Sequence, residues 1–275
     1  MLIKSNSSID RILFSIKPLH IITGFFIYLL ICFIAILLFD VFNVFGVRSF
    51  LEAADLGAPA VWYHLFSARS PTEYLQCLLL GILLITCVYI SGRLTELKNN
   101  RLSYFWFLIG ILALILLIEE GADFSRRYQT IMEIIIPGSS FISNRAFIFS
   151  FYMLIALVPL FQYFKDIYPY RKSFWFLVAG FLVYGFAGIQ SVFLGFFGLS
   201  RTPLGLFILY DLLDGVLHFP LSANYPTKDI IAFLFVDYVL EEPIELLAIC
   251  LLLCSIFSFI SAVYERNNKS QFPPG

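Results

Sequence analysis

Long apolar runs recur along the chain and define its expected architecture. Predominantly apolar stretches of 17 or more residues approach the length that a helix needs to cross the hydrocarbon core of a membrane. They lack the alternation of apolar and polar residues that is typical of a membrane β-strand. The pattern predicts six transmembrane helices, at about residues 20–40, 73–91, 102–120, 146–164, 174–198 and 243–264.

Two further apolar stretches are less suited to crossing the membrane. Residues 230–240 are too few to span it, so we expect an interfacial or re-entrant segment, or a kinked extension of the last helix. Residues 203–219 have a helical pattern, but a span there would place Asp211 and Asp214 at mid-membrane, where ionisable groups are costly. We therefore expect an interfacial segment there as well.

The composition excludes a soluble globular protein. Hydrophobic residues make up 60% of the 275 residues and charged residues only 13%, which leaves too little polar surface for a water-soluble fold. We expect an all-α transmembrane helical bundle in a single integral membrane domain, residues 1–275, with the lipid bilayer as its partner. A net charge of −1 gives no indication of nucleic-acid binding.

The distribution of charge predicts an orientation. With both termini in the cytoplasm, most of the 18 Lys and Arg residues fall on the inner side, as the positive-inside rule requires. Of the 19 acidic residues, this topology leaves only Asp10, Glu96, Asp166 and Glu265 inside. Acidic residues contribute little to that rule, so their accumulation outside indicates another role. A bacterial inner membrane is the expected location.

The densest acidic segment opens the last span. Glu241, Glu242 and Glu245 surround Pro243, and both proline and acidic side chains are favourable in the first turn of a helix. If the helix extends further towards the N-terminus, Asp237 joins Glu241 and Glu245 on one face, because residues four apart share a side. One acid would suffice as a cap, so several indicate a binding role.

Acids at other helix ends are expected at the same depth. The third span has too few residues before Glu119 to cross the membrane, which draws Glu119, Glu120 and Asp123 to the edge of the hydrocarbon. Glu73 opens the second span, although it could serve only as a helix cap. The arginines that could neutralise these acids, or hold an anionic head group, are Arg126, Arg127 and Arg145.

Crowded carboxylates have a restricted chemistry. They can hold protons near neutral pH, bind hard divalent cations through oxygen, or act as a general acid and base. Asp211, Asp214 and His218 fall on one stripe of the predicted interfacial helix, which suits either a metal site or a solvated face. A divalent metal ion is therefore the one cofactor that the sequence suggests.

Three short segments carry a family resemblance. They are Glu73-Tyr74-Leu75-Gln76, then Glu120 with Phe124-Ser125-Arg126-Arg127, and Glu241-Glu242 with Glu245-Leu246-Leu247. Together they resemble a family of uncharacterised bacterial polytopic membrane proteins with Glu-rich helix ends, where Trp and Gly replace Phe124 and Ser125. The resemblance implies no activity. A ceramidase-like hydrolase is similar in size, but such enzymes need a His-x-x-x-His pair, and this chain with its three histidines has none.

Two functions follow as hypotheses. The first is a membrane protein whose outer-side carboxylates bind a cation or a proton, as a small transporter or as an accessory subunit of a membrane complex. The second is a membrane-embedded hydrolase or transferase, with or without a metal ion, that acts on a lipid-like substrate. The sequence leaves open whether the protein is an enzyme, and it names neither a substrate nor a partner subunit.

Overall fold

A computed structural model describes residues 13, 15–53, 60–67, 69–136, 145–196 and 236–271. Within them the protein is all-helical and contains no β-strand, as predicted. A π-helical turn, Leu37–Val41, ends the first helix, and another, Val236–Glu241, leads into the last. The helices are α1 (Pro18–Ile36), α2 (Val47–Ala53), α3 (Val61–Phe66), α4 (Pro71–Glu96), α5 (Asn100–Ala122), α6 (Phe124–Ile135), α7 (Arg145–Gln162), α8 (Phe164–Ile167), α9 (Arg171–Phe196) and α10 (Glu242–Gln271).

Four helical segments among the described residues are long and apolar enough to cross a membrane. They are Pro18–Val41, Val61–Glu96, Asn100–Ala122 and Tyr238–Glu265, and they identify an integral membrane protein. The predicted fourth and fifth spans coincide with α7 and α9. The count of six spans and the cytoplasmic termini stay predictions, and the segment 203–219 lies outside the described residues.

The segments between the predicted spans, in which no helix was expected, are partly helical. Residues 121–145 contain α6, so a loop over this whole segment would be wrong, and residues 45–71 contain α2 and α3. Asp123 separates α5 from α6 in the left-handed backbone region, with φ of 48°, which aspartate tolerates better than most residues. The polar and charged composition of α6 is typical of a loop. Only the 3.6-residue period of its apolar positions indicates a helix.

The chain divides into two compact units. The first comprises Met1–Gly24, Gln76–Gly185 and Leu247–Gly275, and the second comprises Phe25–Leu75 and Phe186–Leu246. Each unit has its own hydrophobic core among the described residues. The expectation of a single integral membrane domain stays a prediction.

Close helix packing and buried hydroxyl groups hold the first unit together. The rings of Trp106 on α5 and Phe259 on α10 lie 5.1 Å apart. Gly180 on α9 faces α10 so closely that a Cβ atom would lie 2.8 Å from a methyl group of Leu252. The buried Ser255 hydroxyl donates to the Ser173 carbonyl at 2.8 Å. Small residues and hydroxyl pairs are the usual contacts between helices in a membrane.

The core of the second unit is smaller and mainly aromatic and aliphatic. Trp62 and Phe66 of α3 are fully enclosed, and they pack with Cys32 and Ile36 of α1. Val239, from the π-helical turn before α10, joins the same core. This core therefore fixes the segment that precedes the glutamates of α10.

Candidate functional site

The start of α10 combines a π-helical turn with a proline. Pro243 is the second residue of α10, where a missing N–H group costs little. In a regular helix its ring would clash with the carbonyl group of Val239. The turn Val236–Glu241 directly before it is π-helical, and such a turn accommodates a local disruption of the helix. Residues 236–241 thus lead into α10 as a π-helical turn. The remainder of the predicted segment, 230–235, lies outside the described residues, so its interfacial or re-entrant character stays a prediction.

Two carboxylates are buried where this π-helical turn leads into α10. Glu241 and Glu245 each have only 8% of their surface exposed, and Glu242 between them is half-buried. Residues four apart on a helix have Cβ atoms about 5–6 Å from each other. Burying two negative charges at that spacing is costly unless a proton, a cation or strong hydrogen bonds compensate. The side chain of Asp237 is not described.

Aromatic and hydroxyl side chains surround this helix start within the second unit. The ring of Tyr238 meets the ring of Tyr63 edge-on at 5.5 Å. Tyr28 on α1 interacts electrostatically with Glu242, and its hydroxyl lies 2.7 Å from that of Thr72. Thr72 in turn donates to the carbonyl group of Leu65. The side chains of Tyr28 on α1 and Tyr63 on α3 therefore lie close to this helix start.

Asp40 was not among the predicted site residues, yet its carboxylate binds the start of α3 in the second unit. It is completely buried, and its carboxylate accepts the N–H groups of Val61 and Trp62 at 2.7 and 2.9 Å. It thereby caps the N-terminus of α3, which packs against the π-helical turn before α10. The residue was missed because its partners lie 21 and 22 positions away, beyond any local capping pattern.

In the first unit, tyrosines bind the two glutamates at the end of α5. Tyr152 on α7 donates to Glu119 at 2.8 Å, and Tyr184 on α9 donates to Glu120 at 2.6 Å. Glu119 also accepts the N–H group of Ser125 at 3.1 Å, so it caps α6. No local sequence pattern indicates these tyrosines, because each lies in an apolar helix and its partner is far along the chain.

The remaining predicted residues differ in their surroundings. Asp123 forms the junction between α5 and α6. Arg127 is exposed on α6, whereas the side chains of Arg126 and Arg145 lie outside what the structure describes. Glu73 accepts the N–H group of Arg69, while its own N–H group donates to the Ser70 hydroxyl at 3.3 Å. This resembles a capping box, and it supports the structural interpretation of Glu73.

The predicted carboxylate cluster is distributed over both units. Glu119, Glu120 and Asp123 belong to the first unit, and Glu73, Asp237, Glu241, Glu242 and Glu245 belong to the second. Their meeting in one layer stays a prediction. Asp211, Asp214 and His218, the predicted metal ligands, lie outside the described residues. Within the part that the structure describes, no three His, Cys, Asp or Glu side chains are grouped to hold a metal ion.

Comparisons with protein families, with curated proteins and with solved structures give no match for this chain.

Proposed function

We propose that this integral membrane protein binds a proton or a cation at the glutamates that open α10. The observation that carries the proposal is the burial of Glu241 and Glu245, each 8% exposed, on successive turns of one helix. A span that needed only a cap would need one acid, and that acid could stay at the surface. Two enclosed acids on neighbouring turns supply the oxygen ligands that suit a proton or a hard cation.

The geometry of the helix start supports the same proposal. A π-helical turn shifts the backbone register, and such turns are frequent at functional sites. Here the turn ends at Glu241, so it determines how the Glu241 and Glu245 side chains are presented. Oxygen ligands from carboxylates suit a proton or a hard cation. No covalent chemistry is needed for either.

The first unit, taken by itself, also has polar groups within apolar helices. They are two carboxylate–phenol pairs, the Glu119–Tyr152 and Glu120–Tyr184 hydrogen bonds. Ionisable residues in membrane helices commonly mark ion pathways and proton relays. These pairs favour a small transporter or an accessory subunit that handles an ion, rather than a passive membrane anchor.

Thermal unfolding of the purified protein in detergent tests the binding. A ligand present at 100 times its Kd stabilises the folded state by about 2.7 kcal/mol. We expect one cation, or acidification, to raise the Tm of the wild-type protein. The same treatment should leave the Tm of Glu245→Gln unchanged. Glu265→Gln is the matched control, because Glu265 is an exposed acid on the same helix. Equal responses of Glu245→Gln and the wild-type protein would refute the site.

Reconstitution into liposomes separates the two roles. Uptake or release of the stabilising ion would establish a transporter if it is lost in Glu241→Gln and Glu245→Gln. Glu265→Gln should keep this flux. Binding without flux, together with stable co-purification of a larger membrane assembly, would establish a subunit. A metal ion that purifies with the protein, is lost in Glu241→Gln and supports turnover of a lipid-like substrate would instead favour the hydrolase or transferase hypothesis.

A further inference from the structure

The short helix α6 presents an apolar face that no part of the described protein covers. Ile131, Ile134 and Ile135 are 53%, 75% and 65% exposed, and Phe124 is 44% exposed. At 100° per residue, Phe124, Ile131 and Ile135 fall within a narrow stripe, and Ile134 borders it. The buried side of the helix begins instead with Ser125. The helix therefore turns its apolar side outward.

The position of α6 indicates what covers that face. Only Asp123 separates it from α5, a helix long and apolar enough to cross the membrane. The exposed side chains of α5 form a continuous stripe at alternating spacings of three and four residues, which is the pattern of a lipid-facing side. They are Tyr104, Phe107, Ile111, Leu114 and Ile118. The apolar face of α6 thus starts where a lipid-facing surface reaches the membrane boundary.

The turn into α6 is held by the protein. The Glu119 carboxylate accepts the N–H group of Ser125 and the hydroxyl group of Tyr152, which ties the first turn of α6 to α5 and α7. The backbone of Asp123 takes the left-handed conformation that ends one helix and starts the next. These contacts orient α6 independently of any lipid, so its exposed apolar side is a built feature of the first unit.

We propose that α6 is an interfacial membrane helix. Its apolar face contacts the boundary between head groups and acyl chains in the protein's own phospholipid bilayer. Its apolar stripe would lie among the first acyl carbons, as in other amphipathic interfacial helices. Arg127 is exposed beside Ile131 and Ile134 on the helical wheel, where a long basic side chain reaches phosphate groups while its stem stays in the apolar layer.

Fluorescent labelling in the full-length protein tests this proposal. Ile135→Cys and Ile131→Cys would be labelled with an environment-sensitive dye and reconstituted in phosphatidylcholine–phosphatidylglycerol vesicles. Thr130→Cys is the matched control, because Thr130 is an exposed residue of the same helix that lies about 100° or more from both positions on the helical wheel. The wild-type protein, whose cysteines are all buried except the half-buried Cys77, measures background labelling.

We expect the dyes at positions 131 and 135 to emit at shorter wavelength than the dye at 130. Lipids that carry a doxyl group near the head-group end of the acyl chain should quench them, and aqueous iodide should quench them several-fold less than the control. Iodide quenching equal to that of the control would place the face in water and overturn the proposal. Blue-shifted emission that doxyl lipids do not quench would also overturn it, because the face would then contact protein.

Discussion

At the scale of single residues, the most consequential side chains bind partners far along the chain. Asp40 accepts two backbone N–H groups of α3, and Glu119 and Glu120 each accept a tyrosine hydroxyl group from another helix. A buried carboxylate requires such donors, because an unsatisfied polar group costs free energy in an apolar environment. Polar residues in this protein therefore act as specific connections between apolar segments.

Asp40→Ala is expected to destabilise the protein by about 1–3 kcal/mol, because it leaves two buried N–H groups without their acceptor. Thermal unfolding in detergent would measure the loss. Asp166→Asn is the control, since Asp166 forms an exposed ion pair with Arg101 and such pairs contribute about 0–1 kcal/mol. If Asp40→Ala is as stable as the control, the cap of α3 contributes nothing to the stability of the protein.

Residue-scale prediction from the sequence succeeded where the signal was local. The spacing of Ser70 and Glu73 indicates a helix cap, and the structure places both in that geometry. The acidic segment with Glu241, Glu242 and Glu245 was evident from composition, and the structure buries Glu241 and Glu245, while their binding role stays a prediction. Asp40, Tyr152 and Tyr184 had no local signal, because only the tertiary fold brings their partners close.

At the scale of helices, regular segments were predictable and their interruptions were not. Apolar runs predicted the starts of α1, α4, α5 and α10 to within two residues, whereas α4 and α10 continue to Glu96 and Gln271, beyond the predicted ends at 91 and 264. The helix α6 was missed because apolar content alone does not identify a short amphipathic helix. The π-helical turns beside Asp40 and before Pro243 depend on side-chain packing, and a periodic pattern does not encode them.

Helix packing in the first unit depends on Gly180. A Cβ atom at this position would lie 2.8 Å from Leu252 and 3.2 Å from the backbone oxygen of Ala248, so Gly180→Ala must push α9 away from α10. We expect a loss of about 1–3 kcal/mol, the usual effect of overpacking, measured as a lower Tm in detergent.

Gly81→Ala is the matched control for that substitution. Gly81 lies within α4, and no atom outside its own helix backbone lies within 4 Å of a Cβ placed there. The change should be neutral or stabilising by up to about 1 kcal/mol, because alanine favours a helix over glycine. Equal Tm changes in the two variants would contradict the close crossing of α9 and α10.

At the scale of the whole molecule, the last span differs from the others. In its most apolar stretch 72% of the residues are buried, compared with 17% in the first span. The central claim of the proposed function is that Glu241 and Glu245, at the start of this span, bind a proton or a cation. The burial of both side chains supports that proposal.

Infrared difference spectroscopy of the reconstituted protein tests this central claim most directly. On addition of the bound cation, or on raising the pH, the wild-type protein should lose a protonated-carboxyl band or shift a carboxylate band. Glu265→Gln should give the same spectrum, whereas Glu241→Gln and Glu245→Gln should lose the signal. A signal that survives both of these substitutions, or its absence from the wild-type protein across all ions and pH values, would contradict an ion-binding site at the start of α10.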